Sequence, residues 1–153
     1  GLYWANSYEH DETGHTSEKS TARTAMVEKR LRKFDAIAAE VRAPTIYGDL
    51  DAEVSLVAWG SMKGPVLEAL TSSNYMVSGK KANLIHFSWL YPFPTEATQK
   101  LLVGRKRIID VEQNATGQLA LLIRTHTGIE ITEKLLKYDG RPFYPEEILE
   151  RVS

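Results

Sequence analysis

The sequence predicts an α/β fold: a three-layer α/β/α domain on a mainly parallel, open sheet. Three observations predict it. Short β-rich apolar runs recur at residues 54–59, 83–89 and 107–112. Stripes of apolar residues at helical spacing separate them. Glycine and proline mark each change of pattern. Strands that alternate with helices imply βαβ units, hence parallel strands in one sheet with helices on both faces.

The elements follow in order. Residues 1–19 are polar, lack periodicity and read as loop or linker. From about Thr21 to Arg42, Val27, Leu31, Phe34, Ala38 and Val41 recur at intervals of one helical face. Lys29, Arg30, Arg32, Lys33, Asp35 and Glu40 supply a solvated remainder, and Pro44 stops the helix by restricting the residue before it. Val54–Trp59 reads as a buried strand, and Gly60, Ser61 and Gly64 make a turn. Pro65 suits the first helical position, where its missing N–H has no partner to lose. Val66, Leu67 and Leu70 begin a helix that runs to about Tyr75, and Asn83–Trp89 is a second strand. Pro92 and Pro94 mark a rigid turn, and Thr95 is the N-cap of a helix that carries Glu96 in its first turn. That helix closes with Leu101, Leu102 and Val103 before Gly104. Arg107–Glu112 is a third strand, and Asn114–Gly117 a turn. A helix continues through Leu119, Leu122 and Ile123 to Gly128. A weaker strand lies near Leu135–Tyr138, Asp139 and Gly140 turn the chain, and Pro145 opens a last short helix.

The bulk properties narrow the function classes. A length of 153 residues suits one domain with a sizeable core. A net charge of −1 gives no overall electrostatic reason to bind nucleic acid or an anionic membrane. Trp4, Trp59 and Trp89 are scattered and form no stacking platform among basic neighbours. The absence of cysteine excludes disulfides, thiolate metal sites and cysteine nucleophiles within the chain, and fits a cytoplasmic protein. The longest strictly apolar run, Leu119–Ile123, is far short of a membrane span, and nothing at the start reads as a signal peptide. A start at Gly1 rather than methionine hints at a piece of a longer chain or a processed product.

Three stretches are candidate sites. In "EHDETGH", His10, Asp11, Glu12, Gly14 and His15 allow a catalytic cluster by local chemistry, and two readings weigh most. One is a loop wrapped around zinc or manganese. The other, preferred, is an ordered polar loop whose carboxylates bond backbone N–H groups. The five-residue spacing of the histidines, with a glycine between them, is not that of ligands on one helix face. "WGSMKGP" is strand, turn and helix start, with Gly60, Ser61 and Gly64 near helix-start N–H groups that attract anions. Both GxxxxGK[ST] and GxGxxG are missing, which favours a structural turn. "VEQNATGQ" follows a strand end, the edge at which open parallel sheets bind ligands, so Glu112, Asn114 and Gly117 are candidates. The equally weighted alternative is a turn with Asn114 or Thr116 as N-cap. His86 and His126 have no visible partners, and no GxSxG marks a serine nucleophile.

Six stretches taken together, "EHDETGH", "MVEKRLRKF", "WGSMKG", "LYPFP", "VEQNATGQL" and "KYDGRPFYPEEI", resemble the C-terminal region of the α subunit of 2-oxoacid:ferredoxin oxidoreductases, the 2-oxoglutarate type especially. The resemblance covers nearly the whole chain and implies a transketolase C-terminal-like domain over 21–153, with 1–20 as an interdomain linker. It implies an enzyme that oxidatively decarboxylates a 2-oxoacid through thiamine diphosphate, passes the acyl group to coenzyme A and the electrons to ferredoxin. It implies partners too: a β subunit, an upstream pyrimidine-binding domain and a γ domain. Thiamine diphosphate with magnesium, and the iron–sulfur cluster, are then expected elsewhere in the complex, with no catalytic or metal-binding residue in this chain. The Gly-Asp-Gly start of the diphosphate–magnesium motif is absent, because Leu50 follows Gly48–Asp49 and Tyr138 precedes Asp139–Gly140. The domain is expected to support assembly, with His10, Asp11, Glu12, Gly14 and His15 at the domain junction. The alternative from the residues alone is a stand-alone doubly wound module that binds a nucleotide or small molecule through the two turns.

Overall fold

The computed structural model describes residues 1–152, which form two compact units, Gly1–Val41 and a second that begins at Arg42. The first contains a small hairpin, β1 (Glu9–His10) antiparallel to β2 (Thr16–Ser17), and the long helix α1 (Ser20–Glu40). The hairpin falls within residues 1–19, which the sequence pattern marks only as loop, because two-residue strands are too short to show a period. Gly14 sits at φ +87° with the backbone of Leu2 against it, and a β-carbon there would lie 2.5 Å from the Leu2 carbonyl oxygen. Only glycine fits such a position. Glu9 is buried and accepts hydrogen bonds from Arg23 and Arg30 of α1. No residue of α1 is fully buried. The half-buried side is Ala22, Met26, Phe34 and Ile37, whereas Val27 and Leu31 of the expected stripe are exposed. Within this unit α1 packs against a small hairpin, which is too short to cover a full apolar face of a 21-residue helix. The break between the units, at Val41 and Arg42, lies beyond α1 rather than before it.

The second unit is an α/β domain on a mostly parallel sheet, as its alternating pattern predicts. Its strands are β3 (Thr45–Gly48), β4 (Val54–Trp59), β5 (Met76–Val77), β6 (Lys80–Phe87), β7 (Arg107–Glu112) and β8 (Glu133–Leu136). The order is β3-β6-β4-β7-β8. The strands β6, β4, β7 and β8 run parallel, while β3 and the short β5 pair antiparallel with β6. Val54 to Ala58 of the central β4 are all buried, since both faces are covered. One layer holds α2 (Lys63–Ser72) against α5 (Pro145–Val152), over Leu56, Leu84, Ile109 and Leu135. The other holds α3 (Thr95–Leu102) against α4 (Gln118–Thr127), with Leu102 and Ile123 packed over Val57, Ile85 and Phe87.

Several boundaries depart from the sequence pattern. A 3-10 turn at Gly60–Met62 leads into α2, so Pro65 is the third helical residue, still within the turn whose N–H groups lack helical partners. Helix α2 stops at Ser72, short of Tyr75, which adopts φ +57°. Pro94 occupies the cap of α3, and the Thr95 hydroxyl donates to the Phe93 carbonyl instead of capping. Strand β6 starts three residues earlier than Asn83 and ends at Phe87, and β8 lies two residues upstream of its expected place. Among the described residues no helix is long and apolar enough to cross a membrane.

Candidate functional site

Strands β6, β4 and β7 lie side by side, so the chain leaves β4 for one neighbour and later returns past it to the other. The carboxyl ends of β4 and β7 are therefore a topological switch point, the usual ligand edge of an open parallel sheet. A crevice of about 370 Å³ opens there, between Trp59–Met62 on one side and Gln113, Asn114 and Gln118 on the other. The two turns singled out in the sequence, 54 residues apart from Gly60 to Asn114, thus share one crevice. Gly60, Ser61 and Asn114 line it, Glu112 and Gly117 lie buried beside it, and Gly64 sits exposed on α2 away from it.

The walls are pinned from below. Glu112 is fully buried at the end of β7. Its Oε1 accepts the backbone N–H of Leu119 at 2.7 Å, in the first turn of α4. Its Oε2 accepts the Trp59 indole N–H at 2.8 Å and the Asn114 amide at 2.7 Å. One carboxylate thus ties both strand ends, the turn and the helix start together, and charge at a helix N-terminus adds to the hold. Asn114 Oδ1 accepts the backbone N–H groups of Thr116 and Gly117, so Asn114 supports the turn from upstream while Gly117 is the actual N-cap. Gly117 has φ +71°, and a β-carbon would meet Lys134 Cδ at 2.9 Å and Asp110 Oδ2 at 3.1 Å. Across the crevice Gly60 has φ +56°, and its carbonyl accepts Nε2–H of the buried His86 at 3.0 Å. His86, partnerless by sequence, holds the first turn. His126 stacks on Phe93 with ring centres 4.8 Å apart.

Asp110, Trp59 and His86 were not legible as site residues. The signal available was Asp110–Val111–Glu112, which places two carboxylates on the same strand face as Ile108. Asp110 is fully buried, and neither of its oxygens accepts a hydrogen bond from any donor. Burial, followed by a hydrogen bond to Glu112 and the charge of Glu112, pushes its carboxyl up to about 9, with Lys134 opposing. The absence of a donor and the bond to Glu112 agree if Asp110 is the protonated partner, because a carboxylic acid donates where a carboxylate only accepts.

The histidine–carboxylate stretch lies in the other unit. Asp11 Oδ1 accepts the N–H groups of Thr13 and His15 and the Thr13 hydroxyl. The Thr13 hydroxyl first, then these N–H groups, hold the Asp11 carboxyl below the usual range. His10 packs on Tyr3 and bonds the Asp11 carbonyl, and His15 Nδ1 lies 2.9 Å from Thr13 Oγ1. Asp11, His10 and His15 are thus engaged in holding the hairpin. Among the described residues no group of three or more histidines and carboxylates converges as a metal site would require.

The resemblance implies thiamine diphosphate with magnesium, and the two Asp positions nearest its motif are already engaged within this chain. Asp49 is taken by Lys81 and by the Asp51 N–H, and Asp139 by the Arg141 N–H within its own turn.

Comparison with known proteins agrees with this fold. Residues 52–148 match the family model described as pyruvate:ferredoxin oxidoreductase core domain II. The chain is 41% identical, over 95% of its length, to 2-oxoacid:ferredoxin oxidoreductase 2, subunit alpha, of Aeropyrum pernix. It is 39% identical over 95% of its length to the 2-oxoacid:ferredoxin oxidoreductase subunit alpha of Saccharolobus solfataricus. In both cases it spans 23% of the relative. A solved structure of the 2-oxoglutarate:ferredoxin oxidoreductase from Magnetococcus marinus, with 2-oxoglutarate, coenzyme A and succinyl-CoA bound, superposes with a TM-score of 0.69 at 30% identity. That match covers 98% of this chain and 26% of the other. With more than half its length matched by one family model, and with the same resemblance legible in its motifs, the chain belongs to the family of pyruvate:ferredoxin oxidoreductase core domain II.

Proposed function

We propose that this chain is the C-terminal domain of the α subunit of a 2-oxoacid:ferredoxin oxidoreductase. Such an enzyme works in the cytoplasm, decarboxylates a 2-oxoacid on thiamine diphosphate, forms an acyl-CoA and reduces ferredoxin. The observation that carries the reading is the near-complete match of this chain to about a quarter of each of several α subunits. In this reading the domain supports assembly with the β subunit and with the upstream pyrimidine-binding and γ domains. The cofactor and the iron–sulfur cluster then sit outside it, which suits a chain without cysteine and with Asp49 and Asp139 already engaged. The hairpin around His10, Asp11, Glu12, Gly14 and His15 packs at the domain junction. The turns at Gly60 and Ser61 and at Glu112, Asn114 and Gly117 remain a candidate ligand edge, which Gly64 does not join.

The crevice also favours a second reading, a self-contained small-molecule module, because it lies at the switch point. Co-expression with the upstream domain and the β subunit separates the two. Activity with 2-oxoglutarate first, the substrate named for the Magnetococcus marinus relative, is measured with coenzyme A and a ferredoxin or viologen acceptor. The expected result is turnover only when all parts are present. A complex equally active without this chain would refute the assembly role, and tight binding of a nucleotide by the chain alone would favour the second reading.

A further inference from the structure

We propose that Asp110 and Glu112 form a proton-sharing carboxyl pair that latches the switch-point crevice: Asp110 carries a proton, donates it in a hydrogen bond to Glu112, and so keeps Glu112 seated against Trp59, Asn114 and the first turn of α4.

Asp110 and Glu112 project from the same face of β7, two residues apart. Both are fully buried. Glu112 is surrounded by donors, three N–H groups at 2.7–2.8 Å, an environment that suits a carboxylate. Asp110 has no N–H or hydroxyl donor on either oxygen. Two adjacent buried carboxyls do not both ionise, and the one without donors keeps the proton. The charged groups acting on Asp110 are Glu112 on its own strand and Lys134 on β8, its register partner. The register partner on β4 is Val57, which is uncharged. Lys134 is exposed and lies over Gly117, so its charge is shared with water and only partly offsets that of Glu112.

Loss of the proton puts a second negative charge beside Glu112, with only the exposed Lys134 ammonium, which lies over Gly117, to offset it. The repulsion between the two carboxylates then favours Glu112 leaving its seat. That frees the Trp59 indole, the Asn114 amide and the Leu119 N–H together, and both crevice walls loosen while the strand interiors stay paired. In this step the Asp110 O–H bond breaks, and the proton passes to solvent hydroxide.

The test is nuclear magnetic resonance of the 153-residue chain from about pH 6 to about pH 10.5, a range that brackets the Asp110 titration. The Trp59 indole N–H, identified by its loss in Trp59→Phe, and the Leu119 amide report on the latch, and the Ile85 amide reports on the sheet. The expected result is that the first two lose exchange protection together as pH passes about 9, while Ile85 keeps its own. In Asp110→Asn all three stay protected across the range. Carbon-13 shifts of labelled aspartate are expected to show Asp110 as a neutral acid at neutral pH, and this measurement stands even if Asp110→Asn fails to fold. An ionised Asp110 at neutral pH, coincident transitions in wild type and Asp110→Asn, or simultaneous loss at Ile85 would each overturn the latch.

Discussion

Removing the Glu112 carboxylate strands three donors, and the Leu119 N–H among them is buried beyond the reach of bulk water. An unsatisfied buried partner costs about 1–3 kcal/mol. Glu112→Ala is therefore expected to lower stability by roughly 2–4 kcal/mol in urea denaturation, and Glu112→Gln, which keeps one oxygen acceptor, by less. Asp110 gives a pH dependence whose sign follows from its raised carboxyl. Between the ordinary aspartate value of 3.8 and about 9 the folded state holds a proton that the unfolded state has lost. The contribution of this group is thus complete at acid pH and declines as pH rises through that window. Asp110→Asn removes the decline, so its stability relative to wild type should increase between about pH 5 and about pH 8 (about 1.4 kcal/mol per pH unit at most). Equal slopes in the two proteins would contradict this. At this scale the sequence exposed Glu112, Asn114 and Gly117 through their place after a strand. It concealed Trp59, whose partner is 53 positions away and is chosen by the pairing of β4 with β7.

Elements were legible where one pattern dominated. Val54–Trp59 and Arg107–Glu112 emerge with the expected ends because buried parallel strands carry apolar residues on both faces, here Val54, Leu56 and Val57, and Ile108, Ile109 and Val111. Strand β3 was not legible, since four residues between Pro44 and Asp49 show no period and the strand exists by pairing with β6. Helix α1 was legible as a helix but not in its exposure, because the spacing of apolar residues does not say what covers them. Two glycines offer a contrast at this scale. Gly117 caps α4 at φ +71° with Lys134 and Asp110 crowding its missing β-carbon, so Gly117→Ala is expected to cost roughly 1–2 kcal/mol. Gly64 lies in α2 without a positive φ, and a methyl group there would project into open space, so Gly64→Ala should add about 0.5–1 kcal/mol. Thermal unfolding of the two variants checks both signs.

At the scale of the whole molecule, the first unit holds Glu9, Arg23 and Arg30 in one ion cluster and Asp11 in its own turn, while the second carries a core on both faces of its sheet. On the proposed function, replacing Asp11 and Glu12 by alanine is expected to weaken assembly with the β subunit and upstream domain, read by size-exclusion chromatography, and to leave the melting of the sheet domain unchanged. A lowered melting temperature with intact assembly would contradict a junction role. The family and the three-layer fold were legible from six short stretches and from alternation. The crevice between the two turns was not, because it depends on a strand order that no local pattern records. The central claim, an assembly domain whose cofactor lies elsewhere, is tested most directly by titrating thiamine diphosphate with magnesium into the chain in a calorimeter. The predicted result is no saturable heat up to about 100 μM ligand, and a dissociation constant in the low micromolar range, about −8 kcal/mol, would contradict it.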